Sequence, residues 1–476
     1  MLMQRMAAAA LLAAAILAPA AAETYTVDTS ADTAAVDPAV GPKDAAGHIS
    51  LRSAIQAANL KAGADTIDLL TATTYQLTLG PADSAIQALS GAAGDLDITD
   101  SLTLNGNGAK VDAHGIDRAF NIERASAPLS VTINDLTVVG GHAQGFLACG
   151  GGINVRAAEV SLNRCTVANN SADGNGGGIA VNGIFDPTAI AGALTLNDCM
   201  VTGNAAPNGA NILAASSVVT VNGSTVAYGT ASGDFGGAGI ALLGDAALSQ
   251  LTNVTVSDNS AIAGAGGGIA TFGDGSGTLR YSTVAGNKAA LGGGVQQSTA
   301  KIILNGSLVA GNAAGTGPDL LGGYVSDGYN LVGDRAGAII PPATGDLFGG
   351  VSVGIIDPLL GPLQANGGPV LTRALLVGSP AIDAGSPLNY PPLDARHFRR
   401  PQDGDKNGTP RADIGAFELV FPYTAADAAR ALSLAGGLLN STPADIPRLD
   451  LTLPDRIDVA DAIVIARKVT GLNPNP

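Results

Sequence analysis

Asp403, Asp405 and Asn407 occupy alternate positions of the loop Asp403-Gly-Asp405-Lys-Asn407-Gly408. Oxygen side chains at positions one, three and five with glycine at six form the opening of a calcium loop, because a hard cation takes oxygen ligands and the chain must turn sharply around it. Asp413 is a candidate later ligand. The twelfth position is Ile414, where an EF-hand requires glutamate, so a complete EF-hand is excluded. The plainer reading is a solvated turn rich in Asp, Asn and Gly. The histidines, His48, His114, His142 and His397, lie scattered among loop segments without metal-ligand spacing and read as surface residues. Between Leu136 and Asn312 the carboxylates are sparse: Glu159, Asp173, Asp186, Asp198, Asp234, Asp245, Asp258 and Asp274, with no adjacent Asp-Asp pair. Paired-carboxylate catalysis therefore has no local motif there and would need convergence of distant residues.

The elements that position these groups follow from an internal repeat of about 25 to 34 residues, the period of a solenoid. Copies include Leu162–Asn170, Leu196–Asn204, Leu251–Asn259, Leu279–Asn287 and Leu304–Asn312, each related to a Gly-Gly-Gly-Ile segment. Within a copy the apolar residues alternate with period two, which defines strands with one face inward. One inward column reads Ile133, Leu162, Leu196, Val221, Leu251, Leu279, Leu304; a second reads Val138, Val167, Val201, Val226, Val256, Val284, Val309. Polar columns mark the bends. The first is Asn134, Asn163, Asn197, Asn222, Thr252, Arg280, Asn305; the second is Asn170, Asn204, Gly229, Asn259, Asn287, Asn312. Asparagine tolerates left-handed backbone and passes amide hydrogen bonds along a stack, so both columns are expected to be structural ladders. Cys165 and Cys199 share an inward column with Ser224, Val254, Ser282 and Ser307; stacked neighbours there are either two small buried thiols or a bridged pair. Leucine spacing and the many glycines exclude a leucine-rich repeat. The expected fold is all-β: a right-handed parallel β-helix with an N-terminal cap helix and a small α-helical C-terminal module.

Composition agrees with short strands and tight turns: 65 glycines, no tryptophan and 13% charged residues. A formal net charge of −16 excludes the basic face that nucleic acid requires. Residues 1–22 read as a signal peptide, with Arg5, an apolar run to Leu17, Pro19, and small residues before a cleavage site between Ala22 and Glu23. Beyond it no run reaches the roughly 18 apolar residues of a membrane span. Residues 23–101 supply a first strand and, at Ser50–Asn59, a helix with Ser50 as N-cap. A solenoid needs its open apolar end covered, which assigns this helix as the cap. Residues 102–320 carry the repeats, 321–420 the last rungs and a closing segment, and 424–476 a duplicated helix with Asp427 and Asp461 each ten residues before a glycine.

The Gly-Gly-Gly-Ile and Val-x-x-Asn repeats resemble those of polymorphic outer membrane proteins in the pectate-lyase-like superfamily, which implies a surface-exposed, adhesive protein. No C-terminal barrel of alternating strands follows. Ser50–Asn59 resembles the Cys-Ser-Leu-Arg-Glu-Ala-Ile-x-x-Ala-Asn opening of secreted β-helix proteins, with Ile49 and Ser53 in place of Cys and Glu. Asp357–Gly385 and Arg399–Glu418 resemble the choice-of-anchor segment that closes such proteins, which implies attachment to the cell surface. The C-terminal duplication resembles a degenerate dockerin, which implies a cohesin-like partner and calcium. By that resemblance Asp450, Asp458 and Asp461 fall at ligand positions one, nine and twelve, while Thr452 and Pro454 hold positions three and five and imply weak binding. The expectation is an exported, non-enzymatic surface or matrix protein, adhesive, structural or carbohydrate-binding, retained by its C-terminal module. The alternative is a polysaccharide lyase or glycoside hydrolase of pectate-lyase-like fold.

Overall fold

The computed structural model describes residues 22–80, 91–124, 128–145, 148–182, 191–244, 249–350, 352–420, 425–440 and 457–469, with Asp445 and Leu449. Of the proposed signal peptide, residues 1–21 lie outside these bounds, as does Asp450. The chain winds as a right-handed parallel β-helix, the sense that parallel crossovers take almost universally. A coil consists of a strand such as Glu159–Asn163, a bend, Thr166–Ala168, a second bend, the short Ser171–Ala172, and then Ile179–Val181. Among the described residues, the first, second and fourth strands of successive coils merge into a 29-stranded sheet, and the third strands form a six-stranded sheet. Every pairing in both is parallel, from Thr24–Thr26 against Asp65–Asp68 to Leu331–Val332 against Leu347–Phe348.

The registers stack like on like. Leu162 pairs with Ile133 on one side and Leu196 on the other, and Val256 sits between Val226 and Val284. A further column runs Leu96, Phe120, Ile153, Ile179, Ile212, Ile240, Ile269, Val295, Leu320. These residues form one continuous core. Coils about 4.8 Å apart leave no room for side chains where the fourth strand begins. A Cβ on Gly177 would meet the Ala205 carbonyl oxygen at 2.2 Å, and one on Gly178 would meet that of Asn211 at 2.5 Å. The Gly-Gly-Gly run is therefore a packing requirement.

Both asparagine columns are ladders, although the left-handed residue is a neighbour of the ladder residue. At the first bend it follows the ladder, at Asp135, Arg164, Asp198 and Asn253; at the second it precedes it, at Asn169, Tyr228 and Asp258. None of the ladder asparagines is itself left-handed. In the first, Asn222, Asn197, Asn163 and Asn134 each donate to the residue one coil earlier, ending at Asn105 and then Asp68. Thr252 and Arg280 interrupt it, and the buried Asn305 Oδ1 has no hydrogen-bond partner among the described residues. In the second, donors point the other way: Asn170, Asn204, Asn211, Asn259, Asn287, Asn312 and finally Asp319. Asn211 replaces the last glycine of a Gly-Gly-Gly run and fills the gap at Gly229, whose Cβ would stand 2.6 Å from its Nδ2. Each ladder ends on an aspartate because the terminal residue only accepts. Burial pushes the Asp319 carboxyl up to about 6.

Asn287→Ala should cost roughly 1–3 kcal/mol, because its side chain bonds Val256 O, Asn312 Oδ1, and both the main-chain and side-chain nitrogens of Asn259. Lys288→Ala on the exposed neighbour should cost under about 0.5 kcal/mol. Urea melts of the two variants test this, and equal losses would remove the ladder as a source of stability.

Helix α1 (Leu51–Ala58) covers the N-terminal end. Ser50 caps it, accepting from Ser53 N, and Ser53 Oγ accepts from Ser50 N at 2.9 Å, so serine supplies the reciprocal bond of a capping box. Every residue of α1 is buried. Arg52 is enclosed by Asp32 and the carbonyls of Gly91, Gly94 and Asp95, which satisfy its charge and donors. The C-terminal module contains α2 (Ala425–Ala435) and α3 (Val459–Val469), packed through Ala431, Leu449, Ile457, Ala462 and Ile465. No helix among the described residues is long and apolar enough to cross a membrane.

Candidate functional site

Residues 357–420 return along the flank of the solenoid and cover the outer face of its second strands. Thr225, Thr255 and Thr283 are buried beneath them. Arg373 reaches Asp258 through Nη2 at 2.7 and 2.8 Å and Ser257 Oγ through Nε at 2.7 Å. Asn253 donates to Leu393 O, Thr225 Oγ1 to Leu371 O, and Ser386 N to the Tyr281 hydroxyl. At the centre of this strap, Arg400 and Glu418 form a fully buried ion pair at 3.1 Å. Arg396 lies between the Phe398 and Phe417 rings, 4.1 and 3.5 Å from their centroids, and pairs with Asp394.

The calcium-like loop is part of this strap. Asp403 accepts from Asn407 N and Gly408 N; Asp405 accepts from Asn407 N and Nδ2. Oxygens of Asp403, Asp405 and Asp383 gather within 4.8 Å of one another. Asp383 is buried and accepts from Asp405 N and Arg411 N. Its pKa is pushed up to about 6, first by burial and then by the facing Asp405 and Asp403 charges. Asp413 does not join this group: it turns inward, accepting from Asp383 N and Leu419 N, and burial pushes its carboxyl up to about 7. It thus positions Asp383, which sequence spacing missed because that residue lies twenty positions before Asp403.

In the C-terminal module Asp458 and Asp461 form the N-terminal cap of α3. Asp458 Oδ1 accepts from Ala460 N and Asp461 N, and Asp461 Oδ2 accepts from Asp458 N. Cys165 and Cys199 stack as buried thiols without a disulfide, with Cys165 N directed at Cys199 Sγ at 3.4 Å; Cys149 is also buried and not in a disulfide. Their column continues through Ser224, Ser282, Ser307 and Asn330. Main-chain nitrogens need an acceptor there, which a small sulfur or hydroxyl supplies.

Two surface arrangements stand out. The outer face of the first strands lies outside the strap and bears a column in unbroken register: Thr66, Thr103, Thr132, Ser161, Thr195, Thr220, Gln250, Thr278. From Thr103 to Thr220 it runs beside the first asparagine ladder, giving a grid of hydroxyls and amides spaced about 4.8 Å between coils, with the charges of Asp68, Glu159 and Arg280 at its margins. The second is a charged row on successive bends. Arg164 clasps Asp135 at 2.6 and 2.7 Å, and His397 of the strap meets Asp198 at 2.9 Å. His397 is a surface residue that pairs across the flank; His142 and His48 are likewise at the surface and pair with Asp173 and Asp28.

No protein-family model matches this chain. No curated protein matches it either. Among solved structures, the crystal structure of pectate lyase Pel9A aligns with a TM-score of 0.45 and 12% identity, covering 84% of this chain and 98% of that one.

Proposed function

We propose that this is an exported, non-enzymatic β-helix protein of a cell surface or matrix that adheres to neutral polysaccharide through the outer face of its first strands. The grid of hydroxyls and amides carries this reading. From Thr103 to Thr220 its hydroxyls and amides are uncharged, partly exposed and fixed in register, and the amides are already held by their ladder bonds. An ordered array loses little conformational entropy on binding, and a neutral face on an acidic protein favours a neutral ligand. The C-terminal module serves retention, through a cohesin-like partner or a cell-surface component. Calcium is assigned to Asp383, Asp403, Asp405 and Asn407, where a divalent ion would offset the mutual repulsion of the carboxylates. The dockerin-like positions Asp458 and Asp461 are secondary candidates.

The test is retention on insoluble neutral glycans. The double substitution T195K/T220K should weaken retention about tenfold or more with an unchanged melting temperature, since both side chains face outward. Deleting residues 424–476 should abolish cell attachment and leave glycan retention intact. Equal glycan retention by wild type and T195K/T220K would overturn the reading. The lyase or hydrolase alternative is favoured by one observation, the Asp135, Arg164, Asp198 and His397 row. Cleavage of a glycan that His397→Ala or Asp198→Asn abolishes would replace the adhesive reading with that one.

A further inference from the structure

Glu23 is fixed at each of its polar groups. Its carbonyl accepts from Thr66 N at 2.8 Å, and its carboxylate accepts from the Tyr25 hydroxyl at 2.9 Å and lies 3.9 Å from Lys61 Nζ. Its N–H donates to Asp65 Oδ1 at 2.8 Å. Asp65 is 0% exposed, and its second oxygen, Oδ2, is buried without a hydrogen-bond partner among the described residues. A buried carboxylate needs a counter-charge or more donors than one amide can offer. Burial and the Glu23 and Asp100 charges push the Asp65 carboxyl up, with Lys61 opposing them. Ala22, one residue upstream, is exposed.

We propose that hydrolysis of the Ala22–Glu23 peptide bond completes this site, making the α-ammonium of Glu23 the buried counter-ion of Asp65. Water adds across the bond; Ala22 leaves as a carboxylate, and the Glu23 nitrogen keeps its electron pair and becomes an ammonium. No electrons are exchanged. The single amide hydrogen is replaced by a group with three, one on Oδ1 and another available to Oδ2, together with the positive charge that Asp65 lacks. Export processing would thereby tighten the first coil, where Thr24–Thr26 pairs with Asp65–Asp68. This rests on the export reading, which requires a cut at that bond.

The test compares residues 23–476 carrying a free Glu23 amine with the same chain retaining Ala22, each with Asp65 or Asp65→Asn. Hydrogen exchange is followed at the amides of Thr24–Thr26 and Thr66–Asp68. The free amine should raise protection about tenfold or more over the Ala22 form, and Asp65→Asn should erase that difference. In the free-amine form the added protection should fade as pH rises above about 8, because pairing raises an α-amine from its ordinary value near 8 and the benefit is lost on deprotonation. Glu23, Asp100 and Lys61 also face Asp65 but are common to both forms, so they cancel in the comparison. Equal protection in the two Asp65 forms, or a difference that survives Asp65→Asn, overturns the proposal. Sequencing the N-terminus of the exported protein tests the export reading separately: a start elsewhere fails that reading, whereas a start at Glu23 without the coupling fails this one alone.

Discussion

Val256→Asp should destabilise the protein by at least about 4 kcal/mol at neutral pH. Val256 is 0% exposed and lies between Val226 and Val284 in a column without polar side chains. No side chain in that column donates a hydrogen bond to the new carboxylate, and coils stacked at strand spacing leave no path for water. The buried carboxyl would have a folded pKa raised above its unfolded value. Its protonated form is therefore favoured in the fold, and the loss should shrink as pH falls from about 7 toward 4. Thr278→Asp is the control. Thr278 lies on the outer face of the first strands and is half-exposed, so a charge there stays hydrated and should cost under about 1 kcal/mol. Urea unfolding at two pH values decides the matter. Equal costs for the two substitutions, or a Val256→Asp loss that ignores pH, would place that column outside the core.

Arg400→Met should cost roughly 3–5 kcal/mol, the penalty for removing one member of a buried pair. Methionine fills much of the same volume, so the loss reports charge and hydrogen bonding more than packing. Arg400 bonds Glu418 Oε2, Asp413 O and Gly415 O, and stands 5.0 Å from the Tyr281 ring centroid. Without it, Glu418 would be a fully buried carboxylate facing Asp413. Burial and that neighbour already push Glu418 well above the ordinary glutamate value. A raised carboxyl contributes stability that is present below its unfolded pKa and lost as pH rises through its folded pKa. The variant should accordingly be closest to wild type near pH 4–5 and fall furthest behind at pH 8. Protease susceptibility of the strap, read beside global unfolding, shows where the damage lies. Release of residues 357–420 with the coils intact is the expected pattern, since solenoid stability is a sum over neighbouring coils. A variant that melts like wild type at pH 8 would mean that the Arg400–Glu418 pair does not hold the strap.

What the sequence by itself determined is the set of properties that repeat. Period-two alternation, the recurring Leu and Val columns, the Asn columns and the Gly-Gly-Gly-Ile segment all follow from contacts between one coil and the next. In a stack, the environment of a residue is set by the same position one period away, so spacing alone reveals it. The cap helix was legible for a similar reason, because Ser50 and the apolar positions of α1 are local signals. What only the tertiary structure decided is everything that breaks the period. Asn211 filling the gap at Gly229, the ladder ends at Asp68 and Asp319, and Asp383 beside Asp403 and Asp405 each join residues at unrelated spacings. The strap is the largest case. Its ion pairs with Asp198 and Asp258 cross more than a hundred residues of chain, and no local pattern encodes which flank it covers. That choice rests on long-range packing and charge pairing, and it leaves the first-strand face open while burying the second.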